Sequence, residues 1–307
     1  MTYKFSFLLV AVSVIIKLIA IHFTKFDLFG DEAQYWIWSK NIDLGYYSKP
    51  PLLSWLINIY TFIFGNSFEA LKYFSLFFYF FTSYVVYLLA YELYQKKKIA
   101  TLAALSFYLL PSVSVSSFLI STDVVLVFLG SLFLLVLLKI RKKPLTVNFI
   151  ILGILLGLSF LTKYAVIYYV FSLILIIYFD TNLRSVFLNK KLNLFLFFIS
   201  FVVVISPNIM WNIQNGWVTL AHTSDNVGLD RISFNIIQGF EFLISQAFML
   251  GPILFFTFLI LFKKIKFNFQ TKFLLFFSLP VFVIVFVESV MVRANANWAA
   301  IGLIPLF

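Results

Sequence analysis

Residues 146–179, TVNFIILGILLGLSFLTKYAVIYYVFSLILIIYF, form a nearly uninterrupted apolar stretch. A single helix of this length would extend about 50 Å at 1.5 Å per residue, which exceeds the ~30 Å hydrocarbon core of a bilayer. Lys163 interrupts the stretch near its middle. We therefore predict two short spans, 146–162 and 164–179, that meet in a turn at Lys163. This division decides which side of a membrane every later loop faces.

The composition of the whole chain agrees with a membrane location. Hydrophobic residues make up 63% and charged residues 11%, and the mean hydropathy is +1.02. A soluble domain is closer to half apolar and a quarter charged. The chain is therefore predicted to cross a bilayer several times.

Two residue types limit the chemistry. There is no cysteine, which excludes disulfides, thiolate nucleophiles and sulfur-ligated metals. The chain has only two histidines, which argues against a histidine-rich metal site. The net charge of +11 would suggest a nucleic-acid partner in a soluble protein, but in a membrane chain it marks sidedness, and no nucleic acid is expected.

Apolar segments of spanning length recur along the chain. They lie at 5–23, 68–94, 99–119, 122–139, 146–162, 164–179, 193–211, 239–262, 271–290 and from about 298. They predict an all-α polytopic fold with about ten transmembrane helices. Residues 1–307 are predicted to form one transmembrane domain. Its last span reaches residue 307 without a flanking loop, as in a C-terminally truncated chain.

The distribution of charge orients these spans. With the N-terminus on the cytoplasmic side, most lysines and arginines fall on that side, and most acids fall on the other. The first loop, 24–67, therefore faces outward. Two short helices are predicted within it, 31–40 and 51–64, and Pro50 and Pro51 suit the first turn of the second.

This outer loop contains the polar stretch 29–55, FGDEAQYWIWSKNIDLGYYSKPPLLSW. Its adjacent carboxylates, Asp31 and Glu32, precede a helical pattern, so they suit helix capping as well as a catalytic base. The aromatic residues after them, Tyr35 among these, suit a wall that stacks on sugars or an aromatic belt at the membrane interface. The residues alone leave both interpretations open.

Other polar residues are predicted at span ends on the same side. Lys49 and Lys163 suit contact with a lipid phosphate, either of a substrate or of the surrounding bilayer. Asp123 either caps its span or faces the membrane mouth as a functional acid. Trp211 and Asn212 open a second outer loop, whose amides and tryptophans suit carbohydrate hydroxyls but are also ordinary in loops.

Together these groups suit one type of reaction. An acid would take the proton of an acceptor hydroxyl, and lysines would hold a departing lipid phosphate. The chain contains neither a Gly-x-x-x-x-Gly-Lys-Ser/Thr nor a Gly-x-Gly-x-x-Gly pattern, so no nucleotide is expected to take part.

The order of the motifs resembles the bacterial family 39 glycosyltransferases, relatives of the protein O-mannosyltransferases and of the lipid A aminoarabinose transferase. The segments that carry the resemblance are Asp31-Glu32, Gly45-Tyr46-Tyr47-Ser48-Lys49-Pro50-Pro51, Ser121-Thr122-Asp123, Leu161-Thr162-Lys163 and Pro207…Trp211-Asn212. The resemblance implies a C-type membrane glycosyltransferase fold and a polyprenyl-phosphate sugar donor. It also implies an acceptor that is a protein, a lipid or a glycan, and an active site on the periplasmic face of the inner membrane.

The resemblance also implies roles for individual residues. Asp31 would be the catalytic acid–base residue with Glu32 beside it, Lys49 and Lys163 would face the lipid phosphate, and Asp123 would be a second outer carboxylate. The expected substrate contacts also include Tyr35, Trp211 and Asn212.

A divalent metal is a possible cofactor, but Ser48 stands where the aminoarabinose transferases carry a carboxylate. No metal ligand is therefore assigned.

The alternative class is a transporter or a flippase for lipid-linked sugars. Such proteins place ionisable groups at the midplane and often contain inverted repeats. This chain has no evident repeat, and its acids lie at one interface. Lys72 is predicted near the outer end of its span, and Lys17 is close enough to a span end to reach the interface.

Overall fold

The computed structural model describes residues 3–23, 27–228, 232–264 and 266–307. Residues 24–26 of the predicted outer loop lie outside the described residues. The described part is helical and contains no β-strand.

The helices follow one another along the chain with short connections. They are α1 (Tyr3–Phe23), α2 (Gly30–Lys40), α3 (Leu52–Phe64), α4 (Phe68–Tyr94), α5 (Lys97–Tyr108), α6 (Pro111–Ser116), α7 (Thr122–Lys142), α8 (Thr146–Thr162), α9 (Ile167–Phe179), α10 (Thr181–Asn189), α11 (Lys191–Gln214), α12 (Val218–Val227), α13 (Ile236–Leu250), α14 (Pro252–Phe262) and α15 (Phe269–Met291). Two 3₁₀ helices cover Tyr164–Val166 and Ala296–Leu306.

The predicted division of the stretch 146–179 is confirmed. Helix α8 ends at Thr162, and Lys163 has an extended backbone with φ −161° and ψ 131°. A 3₁₀ turn and then α9 follow it. The two short helices predicted in the outer loop also form, as α2 and α3.

About ten complete spans are not evident. Among the described residues, α4, α7, α11 and α15 are long and apolar enough to cross a membrane, and six spans result if two bent helix pairs each count as one. Predicted span 99–119 divides into α5 and α6 just before Pro111. Proline has no backbone N–H, so it cannot continue the hydrogen bonding of α5. Predicted span 239–262 bends by 106° between α13 and α14, and the last segment is a 3₁₀ helix.

Helix α7 lies at the centre of the molecule. Its most apolar stretch of 18 residues is 83% buried, and the helix packs on α4, α8 and the 3₁₀ helix Ala296–Leu306. By contrast, the corresponding apolar stretch of α11 is only 17% buried, and α8 is the main packing partner of this helix. Helix α11 is therefore held from one side.

Two glycines allow α8 and α11 to approach closely. A Cβ atom on Gly153 would overlap Ser200 and the Phe197 carbonyl, and one on Gly157 would lie 2.8 Å from Val204. Small residues four apart are a common means of close helix contact in membranes, where dispersion and shape rather than water expulsion drive association.

Replacement of Gly153 by valine is expected to destabilise the protein by about 2 kcal/mol, because the added atoms must push the two backbones apart. The measurement is thermal unfolding of the purified protein in detergent. Val147→Leu is the control, since it enlarges an exposed side chain on the same helix. An unchanged melting temperature for Gly153→Val would contradict the close contact.

Lys17 differs from the prediction that it reaches the interface. It is 6% exposed, its Nζ donates to Ser117 Oγ at 3.2 Å, and it lies 4.3 Å from the centre of the Tyr108 ring. Because α1 packs on α4 and α5, the side chain is enclosed by protein instead of facing lipid.

Candidate active site

The adjacent carboxylates at the start of α2 lie in different environments. The Asp31 side chain is exposed and has no hydrogen-bond or ion-pair partner within the described ranges. Glu32 is only 2% exposed. Because consecutive side chains on a helix point about 100° apart, one acid faces the open side of α2 and the other faces the interior.

Both carboxylate oxygens of Glu32 are engaged. Oε2 accepts from Lys72 Nζ at 2.6 Å and from the Phe29 backbone N–H at 2.9 Å. Oε1 accepts from the Ile120 backbone N–H at 2.8 Å. Lys72 is itself 4% exposed, so this is a buried ion pair whose acid also binds two main-chain donors.

Asp123, at the start of α7, is the centre of a second cluster. Its Oδ1 accepts from Lys163 Nζ and its Oδ2 from Asn297 Nδ2, both at 2.6 Å. Asp123 is 6% exposed, and the Lys163 side chain is 17% exposed. One carboxylate therefore fixes the position of the largely buried Lys163 side chain.

Lys49 connects the two clusters electrostatically. Burial lowers its pKa, and Lys163 lowers it further, whereas Asp31 and Asp123 act in the opposite direction. Lys49 has no direct ion-pair partner among the described residues. Its ammonium is therefore half-buried, close to these charges and not neutralised by a direct contact.

Tyr35 lies one helical turn after Asp31 and is 3% exposed. Burial raises the pKa of its hydroxyl, and the negative charges of Asp31 and Asp123 raise it further. The hydroxyl is therefore protonated at physiological pH and can act as a neutral hydrogen-bond donor.

The loop from residue 41 to 51, which carries Lys49, is held by its own side chains. Tyr46 stacks on Trp38 with ring centres 4.6 Å apart, and its hydroxyl donates to the Trp38 carbonyl at 3.0 Å. Trp55 Nε1 donates to the Asp43 carbonyl at 2.8 Å. These contacts join the loop to both flanking helices, α2 and α3.

The end of α11 and the start of α12 support the same loop. Asn208 Nδ2 donates to the Leu44 carbonyl at 2.7 Å, and Thr219 Oγ1 donates to the Tyr46 carbonyl at 2.6 Å. Gly45 lies against the Trp211 ring so closely that a Cβ atom would overlap it. Asn212 is buried and donates to the Asn208 carbonyl at 2.9 Å.

Replacement of Gly45 by alanine is expected to lower the rate of a reaction that depends on Lys49 by about 10-fold, with little loss of helical structure, because the loop that carries Lys49 must move away from Trp211. The comparison is with Leu44→Ala, which removes an exposed side chain and keeps the carbonyl that Asn208 binds. Equal rates for both variants would show that the position of the loop does not matter.

The structure therefore places the predicted residues in two groups. Asp31, Tyr35, Lys49, Asp123 and Lys163 converge on one end of the bundle. Trp211 packs against Gly45 of the loop, and Asn212 is buried next to Asn208. Their contact with substrate stays a prediction.

Two functional contacts were not assigned from the sequence. Lys72 binds Glu32, and Asn297 binds Asp123. The available signals were a lysine near the end of an apolar span and an asparagine in the polar segment Arg293-Ala294-Asn295-Ala296-Asn297-Trp298. Neither signal identifies its partner, because both contacts join residues distant in sequence.

A cavity of about 200 Å³ opens beside Asp123 and Asn297. Apart from these groups and a few serines, its walls are largely apolar and come from α4, α5, α6, α7, α13 and the last 3₁₀ helix. A polar end next to an apolar interior suits an amphiphilic ligand.

The described part of the chain contains no group of three or more histidine, cysteine, aspartate or glutamate side chains placed to hold a metal ion. Ser48 is buried in the loop beside Lys49. No residue is therefore assigned as a metal ligand.

Comparison with known proteins identifies the family. The profile of the family described as dolichyl-phosphate-mannose-protein mannosyltransferase matches residues 48–211, which is more than half of the chain. The chain belongs to this family. The matched region of this mannosyltransferase-family chain includes Lys49, Asp123 and Lys163.

One curated relative matches over most of the chain. This is the lipid A galacturonosyltransferase RgtD of Rhizobium johnstonii, which is 31% identical over 291 residues. The alignment covers 92% of this family member and 60% of RgtD, so the chain spans about three fifths of its relative's length.

Solved structures with the same fold include membrane glycosyltransferases. ArnT from Cupriavidus metallidurans bound to undecaprenyl phosphate has a TM-score of 0.74 at 17% identity, over 100% of this chain and 59% of ArnT. The oligosaccharyltransferase of Archaeoglobus fulgidus, in complex with Zn and sulfate, has a TM-score of 0.58 at 17% identity, over 97% of this chain and 48% of its own. The family member therefore has an ArnT-like fold.

Proposed function

We propose that this chain is the catalytic part of a membrane glycosyltransferase that moves a sugar from a polyprenyl-phosphate donor to an acceptor hydroxyl. Family membership, RgtD and the ArnT-like fold support this class of reaction. The observation that carries the proposal is that the half-buried Lys49 lies within electrostatic reach of Asp31, Asp123 and Lys163, while Lys163 pairs with Asp123 at 2.6 Å.

The proposed reaction is a single displacement. The acceptor oxygen attacks the anomeric carbon, and its proton passes to the Asp31 carboxylate. The bond between the anomeric carbon and the phosphate oxygen breaks with inversion, and its electron pair leaves with polyprenyl phosphate. Lys49 and Lys163 stabilise the negative charge that grows on the leaving phosphate.

The proposed orientation follows the charge distribution. The N-terminus would be cytoplasmic, the Asp31 end of the bundle would face the periplasm, and the short and bent helices would complete about ten crossings of the inner membrane. The similarity to RgtD, a lipid A galacturonosyltransferase, supports a lipid A-like glycolipid rather than a protein as the acceptor.

The test is transfer by purified protein from labelled polyprenyl-phosphate sugars, offered with a lipid A-like glycolipid, a protein acceptor or no acceptor. Labelled glycolipid is expected. Movement of the donor between leaflets of proteoliposomes without any new glycosidic bond would instead support a flippase.

The pH dependence should report on Lys49. Only its protonated form attracts a phosphate, and burial places its pKa below the usual lysine value. We therefore expect kcat/KM for the donor to fall as pH rises through this lowered pKa. Lys49→Arg should keep its rate to higher pH, because a guanidinium stays protonated well above the pH at which a lysine loses its proton. If the rates of the parent protein and of Lys49→Arg fall over the same alkaline pH range, a group other than Lys49 titrates there.

A further inference from the structure

We propose that Glu32 is a positioning residue that sets the spacing between Asp31 and Asp123, and not a second catalytic acid. The activity measurements that test this inference rest on the proposed function. The distance measurement that also tests it does not depend on that function.

The contacts of Glu32 leave it no free oxygen for chemistry. Its carboxylate accepts from Lys72 and from two backbone N–H groups, those of Phe29 and Ile120. At 2% exposure, an acceptor hydroxyl cannot reach it without breaking one of these bonds. A catalytic base must lie within hydrogen-bond reach of the proton that it removes.

The partners of Glu32 show what it holds together. The Phe29 N–H lies on the turn that leads into Asp31. The Ile120 N–H lies on the segment that leads into Asp123, 88 residues further along the chain than Glu32. Lys72, on α4, supplies the compensating charge. One carboxylate therefore joins the backbone beside the proposed base to the backbone beside the acid that holds Lys163.

An ion pair alone would not require this arrangement. A cation and an anion attract in either order, whereas a backbone N–H needs an acceptor. Exchange of the two charged residues, Glu32→Lys with Lys72→Glu, would keep the pair but remove the acceptor from Phe29 and Ile120. The exchanged protein should therefore not recover activity.

The main variant is Glu32→Gln with Lys72→Met, which removes both charges so that no buried ion is left unpaired. The expected result is a fall in kcat of about 10²-fold with donor KM little changed, because a small displacement of a catalytic group is enough for such a loss. Single Glu32→Gln is measured beside it.

The second readout is a distance. The chain has no cysteine, so spin labels at Ile37→Cys and Asn295→Cys are the only labelled sites. Both positions are exposed, one on α2 and the other next to the segment that binds Asp123. We expect a single narrow distance in the parent protein and a broader or shifted one in the double variant.

The matched control is Asp180→Asn. Asp180 caps the start of α10 and pairs with Arg141 in the last turn of α7. Asp180 also accepts from a cation, Arg141, and from a backbone N–H, that of Leu183. This control should lower the melting temperature without changing the distance or kcat.

Three results would overturn the proposal. If the charge-exchanged protein has the wild-type kcat, Glu32 acts only as the ion-pair partner of Lys72. An unchanged distance together with lost kcat would make Glu32 a chemical participant. An unchanged distance and kcat would leave it no positioning role. If the parent protein transfers no sugar, the distances still decide whether Glu32 sets the spacing.

Discussion

Asp31→Asn is expected to lower the rate of sugar transfer by about 10³-fold while the protein still inserts and binds donor. Asparagine has nearly the same shape but cannot take a proton, and general-base catalysis typically contributes 10²–10⁴-fold. The Asp31 side chain is exposed and forms no hydrogen bond within the described part of the chain, so its replacement should not disturb the fold.

The measurement is single-turnover transfer from labelled donor, with donor binding measured in parallel. Asp43→Asn is the control, because Asp43 is an exposed acid of the same loop whose side chain, among the described residues, binds only the Leu44 N–H. If Asp31→Asn transfers within 10-fold of the parent rate, Asp31 is not the base.

Lys163→Met is expected to lower transfer by about 10²–10³-fold, the range found when a single group that stabilises transition-state charge is removed. It should also destabilise the protein by roughly 3 kcal/mol, because Asp123 would be left buried without its cation. The two effects have different causes and can be separated.

The separating variant is Lys163→Met with Asp123→Asn. It removes both charges, so stability should return while transfer remains low. Lys163→Arg keeps the charge and should retain more activity than either. Recovery of transfer in the double neutral variant would mean that Lys163 acts only by pairing with Asp123. The measurements are thermal unfolding and initial transfer rates.

Much of the framework follows from local chemistry. The apolar composition predicts a helical membrane protein, and the length argument at Lys163 predicts the break after α8. The paired prolines predict the start of α3. Each of these depends on the chemistry of a short segment, so the sequence is sufficient.

The helix count could not be predicted in the same way. Hydropathy measures how much apolar surface a segment has, but it does not show whether that surface faces lipid or protein. The segment that became the last 3₁₀ helix is largely buried, and α13 and α14 bend at Gly251 with φ 82°. In both segments tertiary packing decides the path of an apolar chain.

The site shows a similar limit. The sequence identified Asp31, Lys49, Asp123 and Lys163 as candidates, and the structure brings them near one another. It could not separate Asp31 from Glu32, since adjacent carboxylates look equivalent until the partners Lys72 and Ile120 are known. It also could not show that the Trp211 ring packs against Gly45 of the loop.

The hydrogen bond between Asp123 and Asn297 has a consequence for biosynthesis. Its partners are 174 residues apart, so Asp123 and Lys163 are inserted long before the asparagine is synthesised. Until Asn297 has left the ribosome, one oxygen of Asp123 must rely on water or lipid headgroups. The cluster of Lys163, Asp123 and Asn297 can therefore close only after residue 297 has been synthesised, whereas its first two members are present much earlier.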